Sequence, residues 1–179
     1  VFGVCIIFFL ISSESSTGVS REGRNIAVSR VLPVKPEIIA YAKVRFHLTI
    51  VFPAFLFYTA AAMLFFRLNP LHLLYMIPGG FLLLLDSSLI SLAVDLKRPL
   101  LTWSHPQQAM KQNLNVLIAM GANALLLALF GGAGYLLMRT EITSLVIGLL
   151  MIPVAAVLCP FLLRLTAKAA RECYGPQRA

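Results

Sequence analysis

The sequence predicts an all-α fold, a polytopic bundle of transmembrane helices, and three observations carry that prediction. Of the 179 residues, 59% are hydrophobic and only 12% charged, with a mean hydropathy of +0.87; soluble domains carry roughly 25% charged residues. Four apolar stretches, Phe46 to Phe66, Leu73 to Val94, Leu114 to Met138 and Ile142 to Leu163, are 21 to 25 residues long. At about 1.5 Å per residue each crosses a hydrocarbon core of about 30 Å. Finally, Lys and Arg gather on alternate links. Those at 14–45, 95–113 and 164–179 carry six, three and four, whereas those at 67–72 and 139–141 carry one each. Positive charge in short loops resists translocation, so thirteen of the fifteen basic residues mark the cytosolic side and place the C-terminal tail there.

The elements follow in order within a single transmembrane domain over 1–179. Val1 to Ser13 is apolar but too short to cross and has no basic region before it, so it reads as a truncated N-terminal span and not as a signal peptide. The chain is therefore expected to be the C-terminal fragment of a longer protein. In the 14–45 link, Ser20 is placed to cap a short helix whose Ile26, Val28, Val31 and Leu32 form a loosely apolar side, with Arg21, Glu22, Arg24 and Arg30 around it. Such a helix lies at the membrane surface, either anchored to lipid headgroups or docking a partner. Pro33 and Pro36 end it, and Pro36-Glu37 suits the first turn of the next helix, which continues into the second span. Both outer links are short, which makes the second and third spans, and the fourth and fifth, antiparallel neighbours. In the 95–113 link, Ser104-His105-Pro106-Gln107 fits a capping box, so a helix is expected to begin there and enter the fourth span, with Trp103 at the headgroup boundary.

Within the spans the single acidic residue near mid-helix is Asp86, accompanied by Ser87, Ser88 and Ser91. A carboxyl at that depth faces the bundle interior, a cavity or a polar partner, so the group lines a transport path or else pins helix packing through hydrogen bonds. Asp95, nine residues on, falls on the opposite side of the same helix. In the fourth span Ala124, Ala128 and Gly132, with Gly121 before them, form a ridge of small residues that predicts close helix packing. Pro53, Pro78, Pro153 and Pro160 interrupt spans, and in membranes neighbouring groups satisfy the carbonyls they free.

Other chemistry is excluded by pattern. The +8 net charge collects at membrane boundaries with no interleaved exposed aromatics, so the lipid bilayer and not nucleic acid is the partner it implies. Cys5, Cys159 and Cys173 lack paired spacing and His47, His72 and His105 stand singly, which supports neither a disulfide framework nor a metal site. There is no nucleophile elbow, no H-E-x-x-H and no phosphate loop, so ATP, if used, is bound by another polypeptide. The catalytic residue set is empty.

Two segments carry a family resemblance. Ser20-Arg21-Glu22-Gly23-Arg24-Asn25, followed by Leu32-Pro33-Val34 and Ala42-Lys43, resembles the S-R-E-G-K-N … L-P-[IV] … A-K segment of large bacterial ABC exporter permeases. Asp95-Leu96-Lys97-Arg98-Pro99, Trp103 and Ala109-Met110-Lys111-Gln112-Asn113-Leu114-Asn115-Val116 resemble a second segment of the same family. The resemblance covers the chain from about Ser16 onward. It implies a non-enzymatic permease subunit of the type 2 ABC transporter class in the bacterial plasma membrane. It further implies an ATPase subunit on the cytosolic side that holds ATP and Mg, and a second permease half or copy. The 20–32 stretch becomes the coupling helix, with Arg21, Glu22, Gly23, Arg24 and Asn25 as ATPase-coupling residues; Ile26-Ala27 stands where the family often has aromatic residues. An ATP-independent carrier or channel and a polytopic membrane enzyme remain the alternatives.

Overall fold

Four long helices frame the protein, and their bounds follow from where apolar sequence is interrupted. The computed structural model describes residues 12–105, 107–108, 113–139 and 143–175; most of the expected truncated span, 1–11, lies outside them. Two 3-10 turns, Ser12–Thr17 and Ser20–Asn25, lead into the short helix α1 (Ile26–Val31). The long helices are α2 (Pro36–Phe65), α3 (Leu73–Lys97), α4 (Leu114–Met138) and α5 (Ser144–Tyr174). All four are long and apolar enough to cross a membrane, and the described residues include no strand.

Local chemistry sets the helix starts. Pro36 occupies the first turn of α2, where its missing N–H costs nothing, and Glu37 beside it faces the positive end of the helix dipole. Asn69 accepts the Leu71 N–H at 3.0 Å to open the Pro70–His72 turn before α3, and Asn113 accepts the Asn115 N–H at 3.0 Å to open α4. Pro53, Pro78, Pro153 and Pro160 all lie inside continuous helices, so the expected interruptions leave the helices unbroken.

At 30 and 31 residues, α2 and α5 are about 45 Å long, roughly 15 Å more than a hydrocarbon core requires. The surplus lies at one end, the N-terminal start of α2 and the C-terminal finish of α5, where the cations Lys43, Arg45, Arg164, Lys168 and Arg171 sit. There the two helices support each other: Glu37 pairs with Arg171, and the Tyr41 hydroxyl donates to the Leu163 carbonyl at 3.3 Å. Arg30, in α1, donates to the Cys173 carbonyl at 3.2 Å. The main hydrophobic core occupies this same basic half, where Val19 and Ile26 pack with Ala40, Val44, Leu92, Leu96, Ala170 and Tyr174.

Helix α3 is the axle of the arrangement. In its most apolar window 44% of residues are buried, against 17–22% for the other three helices, and α5 is its principal neighbour. Nearer the opposite end, the Phe55 ring of α2 lies directly on Gly80 of α3, in the space a Cβ would fill. Phe52 meets Phe81 edge-on with ring centroids 5.2 Å apart. Gly80→Val is therefore expected to force the two helices apart and destabilise the protein by about 1–3 kcal/mol. Thermal unfolding in detergent checks this; the added Phe55→Leu change should recover part of the loss.

Three expectations are corrected. Ser104 does not start a helix that runs into the fourth span: α4 begins anew at Leu114 after the extended residue Asn113. The reciprocal cap comes from Gln108, whose side-chain oxygen accepts from the Ser104 N–H at 3.0 Å, and not from Gln107. Among the described residues the small-residue ridge of α4 is not a packing seam. Ala124, Ala128 and Gly132 are exposed, and α4 packs instead through Ala119, Asn123 and Leu126. The apolar side of α1 is open: Ile26 is buried, while Val28, Val31 and Leu32 are exposed.

Candidate functional site at the basic end

Asp95, in the last turn of α3, is fully buried and organises the basic end. Its Oδ2 accepts the backbone N–H of Val19 at 2.7 Å and of Ser20 at 2.9 Å. Its Oδ1 accepts the Ser20 hydroxyl and the Asn115 side-chain amide, the latter at 3.0 Å. Four donors fill the acceptor sites of the carboxylate, and all four are neutral. The first N–H groups of a helical turn have no partner within the turn and need an acceptor from outside. Asp95 supplies it from 75 residues away, so Ser20, the expected cap, is itself the capped residue.

The Ser20 hydroxyl is thereby released for other bonds, and every one of its valences is used. It donates to Asp95 and accepts from the Leu100 N–H at 2.9 Å and the Asn113 amide at 3.0 Å. The Ser20 carbonyl accepts from the Trp103 indole N–H at 2.9 Å. Asn115 also donates to the Arg98 carbonyl at 2.6 Å. One buried network thus joins the first link, the end of α3, the second link and the start of α4.

The residues expected to couple to an ATPase divide into an inner and an outer set. Glu22 and Gly23 turn inward. Glu22 forms an ion pair with Lys43 of α2 at 2.5 Å and accepts from the Tyr174 hydroxyl at 3.3 Å, while Lys43 also donates to the Gly18 carbonyl at 2.8 Å. Gly23 has φ +52° and ψ −126°, and the Trp103 ring covers it. Arg21, Arg24 and Asn25 face outward and are exposed. The chemistry of the inner set is positional; the outer set offers two guanidinium groups and an amide to a partner. Trp103, expected at the headgroup boundary, is half-buried and forms a lid over the link.

The second expected set, Asp86, Ser87, Ser88 and Ser91, is wholly buried but does not converge. Ser88 donates back to the Leu84 carbonyl at 2.7 Å, and its own carbonyl accepts from Ser15 at 3.1 Å. Ser91 accepts from Asn123 of α4 at 2.9 Å. Both Asp86 oxygens and the Ser87 hydroxyl have no hydrogen-bond partner among the described residues. Ser91, through its hydroxyl, and Ser88, through its carbonyl, therefore tie α3 to its neighbours, and among the described residues Asp86 bonds to none of the serines.

Reasoning from the sequence missed the network of Ser20, Asp95, Asn113 and Asn115 as a site, although each lies in a segment that carries the family resemblance. The available signal was indirect: all four residues fall in the two segments that carry the resemblance, in or beside links that emerge at the same end. Among the described residues, no three His, Cys, Asp or Glu side chains gather in a way that could hold a metal ion. No protein-family model matches the chain, and comparison with curated proteins and with solved structures likewise finds no match.

Proposed function

We propose that this chain is the membrane-spanning permease subunit of an ATP-driven exporter in a bacterial plasma membrane, its basic end and C-terminal tail in the cytosol. A separate ATPase subunit carries ATP and Mg there, and a second permease half or copy completes the path. One observation supports this reading above the rest: the two sequence segments that resemble exporter permeases, which begin 75 residues apart, meet in a single buried network around Asp95. A partner pressing on the Ser20–Asn25 turn would displace α3 and α4 together, since the network fastens both to it. Rigid-body movement of packed helices is a known way for a local contact to become a change of access. The exposed small-residue ridge of α4 leaves room for close approach by a helix of the second half.

The test is copurification with the ATPase encoded in a neighbouring reading frame. Arg24→Glu reverses an exposed charge without touching the network, and is expected to lower ATPase recovery about five- to ten-fold with membrane insertion unchanged. Unchanged recovery, or no such neighbouring frame, would count against the exporter. A second reading, an ATP-independent carrier, is favoured by Asp86, a buried carboxyl with no partner among the described residues. On that reading Asp86→Asn abolishes ion-driven substrate movement; in the exporter it leaves ATPase stimulation intact.

A further inference from the structure

A crevice of about 600 Å³ opens between the first link, the Leu32–Val34 connector and the opening turns of α2. Its α2 wall includes Ile38, Ala42, Phe46 and Ile50, which repeat every four residues and so share one helix face. That stripe spans twelve residues, about 18 Å, and runs from the basic end into the apolar part of the helix. Ile38, Phe46 and Ile50 are 54%, 70% and 54% exposed, so the stripe is bare along its length. The charged members of the lining are Lys43 and Arg21. Lys43 is neutralised by Glu22, whereas Arg21, also in the lining, is exposed and no carboxylate lies within ion-pair distance of it among the described residues.

A bare apolar channel with one uncompensated cation in its lining matches an amphiphile bearing a negative head. Juxtamembrane cations attract anionic headgroups, and each buried acyl carbon adds to retention. We infer that the crevice seats an anionic phospholipid, its phosphate at Arg21 and one acyl chain along the Ile38–Ala42–Phe46–Ile50 stripe. A zwitterionic lipid of the same chain length would fill the channel without the charge match. The lipid then forms part of the wall between the first link and α2, where Lys43 already fastens Gly18.

Native mass spectrometry of the detergent-solubilised full-length protein tests this, with dioleoyl phosphatidylglycerol and dioleoyl phosphatidylcholine titrated separately. The first bound phosphatidylglycerol should be retained about five-fold more strongly than phosphatidylcholine. Arg21→Gln should remove that preference, and Ala42→Phe, which fills the channel from an exposed position, should weaken retention of both lipids. Equal retention by the unmodified protein, or a preference that survives Arg21→Gln, overturns the assignment. If Ala42→Phe fails to fold, the Arg21→Gln comparison decides alone, because an exposed side chain can be changed there without disturbing the core. The readout involves no ATPase, so it stands or falls separately from the exporter reading.

Discussion

Asp95→Ala is expected to destabilise the protein by about 3–5 kcal/mol, the range seen when one partner of a buried charged network is removed. The substitution leaves the N–H groups of Val19 and Ser20, the Ser20 hydroxyl and the Asn115 amide without their acceptor, in a place that water does not reach. Asp95→Asn is expected to do little better. An amide keeps one oxygen but turns an NH₂ toward donors on the other side, replacing attraction with donor-to-donor contact. Denaturant titration in detergent micelles measures the loss. Limited trypsin digestion locates it: cleavage after Arg21 and Arg24 should accelerate at least ten-fold as the turn comes free, ahead of cleavage at Arg139 on the opposite end. If Asp95→Ala unfolds within 1 kcal/mol of the unmodified protein, the network is not what holds the basic end together.

That network also marks the boundary of what the sequence discloses. Helix α4 occupies Leu114–Met138, the same residues that hydropathy and length delimit, because an apolar run of that length in a bilayer has one low-energy state available. The start of α2 is legible from a local signal, Pro36-Glu37 in a first helical turn, but the end of α5 is not: Arg164 and Lys168 lower local hydropathy, so a span read from hydropathy stops at Leu163 while the helix runs on to Tyr174. What carries α5 further is tertiary, the packing of Ala169 and Ala170 with Ala40 and Val44. Asp95 and Ser20 are harder still. Their pairing depends on a fold that brings positions 75 residues apart into contact, and nothing in the local pattern of either segment encodes the distance. Local rules misdirect where tertiary bonds compete with them. Ser20 has the chemistry of a helix cap, yet its hydroxyl is better satisfied by Asp95, Leu100 and Asn113. The α4 ridge has the spacing of a packing seam, but Asn123 binding Ser91 turns a different face toward α3.

Gly23→Ala is expected to cost about 3–5 kcal/mol through two independent effects at one methyl group. The backbone there, at φ +52° and ψ −126°, is open in practice to glycine alone, so any side chain must strain it or move it. A Cβ would also stand 2.7 Å from Cζ2 of Trp103, well inside contact distance, so the indole must shift as well. The two effects can be separated. In a Trp103→Leu background the clash is relieved and the backbone strain remains, so Gly23→Ala should then cost about 1–3 kcal/mol, with the difference appearing as coupling between the two sites. Trp103 is the sole tryptophan, which makes its emission a direct report on the lid. In Gly23→Ala the spectrum should shift to the red and acrylamide quenching should rise, as the indole leaves the Ser20 carbonyl and meets solvent. Partial loss of this lid frees the inward-facing half of the 20–25 turn while Asp95 still holds Ser20, so the outward Arg24 loses its fixed direction before the turn itself dissociates. On the exporter reading, Gly23→Ala therefore weakens ATPase recovery at temperatures where the helices remain folded. An unchanged emission spectrum together with undiminished stability would show that the turn adopts another backbone conformation at no cost and that Trp103 does not hold it.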